Sequence, residues 1–405
     1  MIKDYIKKIV SVENRARIRM LVLDIKRLFI TNPIQTEYPY FRVKEDKANV
    51  FFGYYDITPF SKDENNILYL SVKDGNKIAE VKLYDLNSKK HKILTQTRAW
   101  NWQQGCRLRW HPKKEDTIIF NDANENYYFS RWRNIQTMEE QVIPYPLYDI
   151  DKNAQYGITT DFSRLGRLRP GYGYTLFNYD FKDIKIEDAC VSVVNLNSKQ
   201  VVDEISYNCV IKMLNIPETD LCNCYVNHLS FNPSGDKFLF FFIQIKNNYH
   251  QANMLIYDMK TKKISISEKD MKVSHYMWEN NDTIIATAYN TDYQCNYYRY
   301  KVGETTPMPV LSDKLTRDGH PSLFSDGRWL SDTYPGKDCF QKLLMIDEKN
   351  RKVETLMKIY STPHFGGEKR TDLHPRLSKS NSTICIDANV SGHRNVILLK
   401  MKIQS

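Results

Sequence analysis

At 405 residues the chain exceeds the usual size of one compact core, so it is either split into domains or built from repeats. With 41% hydrophobic and 26% charged residues it has the balance of a folded globular protein, and it holds no run of about 18 apolar residues that would cross a bilayer as a helix. A formal net charge of +10 favours anionic partners, but there is no Lys/Arg-dense run and no recognisable binding module, which sets nucleic acid aside.

The first element, over residues 2–30, places Ile6, Ile9, Val10, Ile18, Leu21, Val22 and Ile25 at helical spacing among Lys7, Lys8, Arg15 and Arg19. Such a basic amphipathic helix packs on a partner surface or lies on an anionic membrane. Residues 1–36 are thus expected to be an appendage of helix and linker. No apolar stretch ending in a small-residue cleavage site accompanies it, so the expected location is the cytoplasm, with peripheral contact at the inner membrane through residues 1–30 as a further expectation. The eight cysteines are scattered, and only Cys222 and Cys224 stand close. That spacing is neither a zinc ribbon nor a disulfide framework, and reduced thiols are expected.

From residue 37 onward one phrase returns: a polar residue, a short apolar strand, a turn and a second strand. Inner strands are expected to start near Asp56, Arg107, Tyr145, His228, His275, His320 and His374. The four histidines recur at intervals of 45 to 54 residues. Turn formers follow each of them, as in Pro233-Ser-Gly-Asp236 and Ser325-Asp-Gly327, and second strands follow the turns, as in Phe238–Ile243 and Thr383–Asp387. A further hairpin signature appears in Val81–Lys90, Val191–Gln200, Met254–Lys263 and Leu343–Lys352: an apolar strand, Asp or Asn, a polar turn, then basic residues. This period is that of a four-stranded blade, so residues 37–405 are expected to form an all-β, seven-bladed β-propeller. The 27 tyrosines suit such a strand-rich fold. Blade three carries an insertion that includes a long loop over Thr160–Tyr174. Blade seven lacks an outer strand, and Glu37–Val43 is the natural donor, closing the ring and hiding an edge.

Equivalent positions in successive blades surround one axis, so the four imidazoles should converge on one rim. His228, His275, His320 and His374 suit a divalent ion such as Mn, Zn or Ca, three of them ligating and one position staying open. They serve equally as polar groups that hydrogen-bond neighbouring blades. Asp318 and Asp372 stand just ahead of two of the histidines, either as acceptors behind them or as loop caps. The same rim should present Arg98, Trp100, Trp102, Gln103, Arg164, Arg167, Arg169, Tyr174, His393 and Arg394, with Asp56, Arg107 and Tyr145 facing the histidines across the channel. Removing a proton α to a carboxylate requires a neutralised carboxylate, a base and an acid. Metal and arginines supply the first. His275 and Tyr172 or Tyr145 supply the others, with Arg107, Arg164 and Arg169 on the carboxylate. This is the β-elimination that cleaves uronic-acid polysaccharides, so an acidic polysaccharide or oligosaccharide is the expected partner.

Gly319-His-Pro-Ser-Leu-Phe-Ser-Asp-Gly-Arg328 and Leu373-His-Pro-Arg-Leu-Ser-Lys-Ser380 resemble the TolB-type propeller repeat. With histidines on its inner strands, the chain is similar to the oligogalacturonate lyase family of metal-dependent, seven-bladed lyases. Thr97–Gly105 and Arg167–Tyr174 resemble segments of uncharacterised propellers that accompany bacterial polysaccharide genes. The resemblance implies a metal-dependent polysaccharide lyase. It departs in one respect: that family clusters its ligands, including a glutamine, in one blade, whereas here the histidines are spread one per blade. Two other readings stay open. One is a non-catalytic propeller that binds glycan or scaffolds polysaccharide assembly. The other is a metal-dependent glycoside hydrolase using Asp56 or Asp332.

Overall fold

The structure is a computed structural model that describes Asn14 and residues 30–180, 184–267, 271–361, 366–390 and 392–401. The amphipathic segment expected over residues 2–30 falls, apart from Asn14 and Ile30, outside them. Seven antiparallel sheets follow one another along the chain and form the blades of a β-propeller. Their innermost strands are short or broken, and their second strands are apolar and buried. Blade 4 shows why: Phe238–Ile243 is a continuous apolar run with both faces covered by neighbouring blades.

The ring closes as the sequence implies. Tyr40–Val43 pairs antiparallel with His393–Lys400 as the outermost strand of blade 7, with Tyr40 opposite Leu399 and Val43 opposite Val396. Just ahead of it, Ile34–Gln35 adds a fifth strand to blade 6 against Ile359 and Lys358. The N-terminal segment therefore covers the outer edges of two adjacent blades, and Ile34 and Val43 are both buried.

Blade 3 carries its insertion between its second and third strands, Tyr156–Thr159 and Ala189–Asn195. The expected long loop is in part a short helix, Phe162–Leu168, whose N-cap Asp161 accepts from the Arg164 amide. The chain then turns back tightly. Gly173 has φ +64°, and a Cβ there would lie 2.4 Å from both the Gly166 nitrogen and the Phe162 carbonyl, so no larger side chain fits. That turn pins Tyr172 and Tyr174 against the helix.

The inner strands aim side chains at the axis by local irregularity. Arg107, His228 and His374 adopt left-handed backbone with φ of 55°, 56° and 46°. Bulges fall between Asn227 and Ser230 in blade 4 and between Val273 and Tyr276 in blade 5. Each break turns one residue out of the sheet towards the centre.

Candidate functional site

The four histidines do converge. The ring centroids of His275 and His320 lie 4.1 Å apart, those of His320 and His374 4.4 Å, and those of His228 and His275 5.9 Å. All four are buried. Tyr54 and Tyr55 fill the axis beside them. Tyr54 stacks on His228 at 5.4 Å and meets His374 edge-on at 4.8 Å, while Tyr55 sits 5.1 Å from His320. The Tyr55 hydroxyl takes a hydrogen bond from the Tyr276 amide and donates to the Tyr276 carbonyl, both at 2.9 Å, which anchors the plug. One cavity, lined by His228 and His275, opens on one side of this layer. Another, lined by Tyr55, Asp56 and Tyr276, lies on the other.

Each imidazole has a defined orientation. His320 Nδ1 faces both oxygens of Asp332 at 2.8 and 3.0 Å, and His374 Nδ1 donates to the Gly53 carbonyl at 2.8 Å. This leaves Nε2 of each buried without a partner, and His228 Nδ1 is likewise unpartnered. The close approach is built in, because a Cβ on Gly319 would lie 2.0 Å from the Asp332 carbonyl oxygen. His275 differs. Its Nδ1 lies 2.8 Å from Asp318, which also accepts from Ser274 (2.6 Å) and Thr287 (2.6 Å). Burial, then the neighbouring imidazoles, holds His228 well below the usual histidine range; burial, then His320, does the same for His374. For His275 burial also prevails, against the pull of Asp318. For His320 burial is opposed by Asp332, Asp372 and Asp318 together, and its pKa is raised. His320, Asp372 and His374 present ligand atoms all within 4.8 Å of one another, a set able to hold a metal ion. Asp372 is also engaged by Arg370, at 2.7 to 2.9 Å.

Above the histidines lies a cavity of about 180 Å³ whose lining includes Arg169, Tyr172, Tyr225, His250, Lys272 and Tyr334. Its two cations lack carboxylate partners among the described residues. The Arg169 guanidinium stacks over Tyr172 at 5.4 Å, and the Lys272 ammonium lies 4.4 Å from the Tyr249 ring centre. His250 Nδ1 meets the Tyr225 hydroxyl at 2.8 Å, and burial, then Arg169 and Lys272, pulls its pKa down to about 4.

The other expected site residues divide. Trp100 and Trp102 pair edge-to-face at 5.0 Å and line a neighbouring groove with Arg98 and Arg167. Arg98 is tied to Glu125 at 2.7 Å, and Arg167 donates to the Phe177 carbonyl at 3.0 Å. Gln103 is buried and donates to the Arg370 carbonyl at 2.7 Å. Arg394 is buried too and donates to the carbonyls of Trp102 (2.6 Å) and Arg370 (2.7 Å), clamping two rim loops together. His393 begins the third strand of blade 7, away from the histidines. Two further arginines and one tyrosine lie inside the fold. Arg164 is fully buried, donating to the carbonyls of Cys224 (2.5 Å) and Leu221. Tyr174 stacks on Phe162 at 4.7 Å. Arg107 is buried in a two-pronged pair with Asp56, at 3.1 and 2.7 Å.

Tyr145 packs in the apolar layer between blades 2 and 3, and the tyrosine that reaches the axis is Tyr148. Its hydroxyl accepts from Gln104 (2.6 Å) and the His228 amide (3.0 Å) and donates to Asn227 (2.9 Å). Inner strand three is Asp149–Ile150, four residues beyond the expected start. Lys272, Tyr225 and Arg317 were not among the expected site residues. They occupy one register position, three residues ahead of His275, His228 and His320, and reading that position across blades singles them out.

No protein-family model matches the chain, and no curated protein does. Solved structures do match. An oligogalacturonate lyase in complex with manganese aligns with a TM-score of 0.67 at 14% identity, over 91% of this chain and 94% of that one. The oligogalacturonate lyase of Vibrio parahaemolyticus aligns at 0.65 and 12% identity, over 91% and 97%. The β-propeller domain of the Trilobed protease from Pyrococcus furiosus aligns at 0.54 and 11%, over 88% and 97%. The likeness is one of fold. The chain shares the seven-bladed ring of the oligogalacturonate lyases over nearly their whole length.

Proposed function

We propose that the protein is a lyase that cleaves an anionic, uronate-containing glycan by β-elimination. The observation that carries this reading is the pair Arg169 and Lys272. Both cations face one small cavity, without carboxylate partners among the described residues, beside a neutral His275 braced by Asp318. A carboxylate is the natural counter-ion for them, and a base sits next to it. The manganese named with the matching lyase structure agrees with a metal at His320, Asp372 and His374.

The residues fit a divalent ion. His320 and His374 each have a buried Nε2 without a partner, and each Nδ1 is fixed by an oxygen acceptor, as metal-bound imidazoles usually are. When bound, the ion supplies Lewis-acid withdrawal of charge from the sugar carboxylate. Arg169 and Lys272 bind that carboxylate and offset the charge that grows as the C5 proton leaves. His275 takes this proton on Nε2, and Asp318 steadies the resulting imidazolium. The electron pair of the C5–H bond forms the C4=C5 double bond as the C4–O bond breaks. Tyr172, across the cavity, donates a proton to the departing oxygen. The products are a 4,5-unsaturated uronate and a shortened chain with a free hydroxyl.

A second reading, a propeller that binds glycan without chemistry, draws on the tie between Asp372 and Arg370, which satisfies that carboxylate with no ion. Metal analysis and turnover separate the two. The lyase reading expects near-stoichiometric divalent metal, lost in His320→Ala/His374→Ala, and ultraviolet absorbance of unsaturated uronate from an acidic oligosaccharide. Metal-free protein that binds such sugars without turnover would establish the second reading instead.

A further inference from the structure

The small cavity is not a dead end. Tyr172 lines it and also lines a groove of about 580 Å³ over blades 1 to 3 and the loop that leads into blade 7, where Trp100 and Trp102 stand. On the opposite side, Tyr289, Asp318 and Tyr334 line it together with a groove of about 1030 Å³ over blades 5 and 6. The central space thus adjoins a groove on each flank and shares lining side chains with both. At about 180 Å³, the central space is smaller than a pocket for a drug-sized ligand, while both flanking grooves are larger.

Charge follows the same line. Each space has at least two cations in its lining without a carboxylate partner among the described residues: Lys77, Arg167 and Lys369 in the first groove, Arg169 and Lys272 in the centre, Arg317 and Lys337 in the second groove. Asp318, held by His275, Ser274 and Thr287, keeps its charge between the centre and the second groove, and Glu368 faces the first, so cations outnumber acids along the line. A short ligand would use only the central pair. A row of cations over three consecutive spaces matches a chain with one negative charge per sugar, and the tryptophan pair adds aromatic surface to the lining of the first groove.

We infer that the groove accepts the interior of a polyuronate chain, with several sugars bound on each side of the cut, so that cleavage is internal rather than at a chain end. This rests on the lyase reading and adds chain length and mode of attack to it.

The test uses the full protein with oligogalacturonates, oligomannuronates and oligoglucuronates of two, four and six residues. Calorimetry measures affinity, and size-resolved chromatography follows the first products from each parent polymer. The series that binds is expected to gain at least about tenfold in affinity from dimer to hexamer, with a steeper salt dependence for the hexamer. First products should be of mixed intermediate length. Arg317→Ala/Lys337→Ala should weaken the hexamer by about tenfold, as loss of two partly exposed ion pairs implies, and weaken the dimer less. Trp102→Phe should change hexamer binding less than Trp102→Ala. Equal affinity for dimer and hexamer, or stepwise release of one small product from a chain end, would overturn the groove while leaving the lyase reading intact. Failure of every series to bind or turn over would remove the lyase reading, and the groove with it.

Discussion

Replacing Arg107 with methionine tests whether this arginine holds the ring or touches substrate. Its side chain is 1% exposed and that of Asp56 8%. The guanidinium donates to Asp56 at 3.1 and 2.7 Å and to the Tyr148 carbonyl at 2.8 Å, and it lies 4.1 Å above the Tyr148 ring. Arg107→Met leaves Asp56 buried without its cation. Breaking such a pair costs about 3–5 kcal/mol, and the lost carbonyl bond adds about 1 kcal/mol, with overlap between the two. The expected destabilisation is about 4 kcal/mol, read from the shift of the urea midpoint at unchanged slope. Asp56→Leu/Arg107→Met should recover much of that loss, because replacing both partners of a buried pair with apolar groups is often close to neutral. Arg107→Met within about 1 kcal/mol of wild type, or a double variant less stable than the single one, would refute the structural role. A stable Arg107→Met protein without turnover would return the residue to the substrate carboxylate.

Three more outcomes follow from named groups. His111 accepts from the amides of Lys113 (3.0 Å) and Lys114 (3.1 Å), and burial, then Lys114, lowers its pKa to about 4. The unfolded chain therefore binds a proton first, so stability should fall as pH drops from about 6.5 towards 4, and His111→Asn should flatten this limb in urea titrations at stepped pH. A bound uronate oligomer should raise the His250 pKa from about 4 by neutralising Arg169 and Lys272, as should Arg169→Ala, and imidazole NMR titration reads both shifts. Val43→Asp should bury a charge in the closing strand, lower the urea midpoint and promote self-association through the freed edge of His393–Lys400, measurable by light scattering.

The propeller was legible because its repeat is regular where the histidines stand, and the missing strand of blade 7 pointed to its donor. Blades 1 to 3 were less legible. Inner strand three is only Asp149–Ile150, too short to show an alternating pattern, and the expected start fell on Tyr145. The rim arginines show another limit. A loop position says where an arginine begins, but its long side chain can turn inward, and Arg164 and Arg394 do so to serve backbone carbonyls of other loops. Partnership across blades is equally hidden: Asp318 precedes His320 in sequence yet holds His275.

Polar residues on propeller inner strands often serve to tie one blade to the next, which would make the histidines structural. In this ring the second strands share that work with His374, whose Nδ1 donates to the Gly53 carbonyl of blade 1 at 2.8 Å. Asn121 accepts from the Leu147 amide at 2.9 Å, Asp332 from the His374 amide at 3.0 Å, and Asp387 from the amides of Phe52 and Gly53 at 3.1 Å each. Each bond runs from one blade to the following one, and Asp387 to Phe52 joins the last blade to the first. Asp332 also orients the His320 ring, so one carboxylate both joins blades 6 and 7 and turns an imidazole nitrogen towards the axis. The blade-joining bonds are made without His320 Nε2, His374 Nε2 or His228 Nδ1. Buried polar nitrogens left without a partner are costly unless something binds them. A metal ion held by His320, Asp372 and His374 is the ligand proposed to offset that cost.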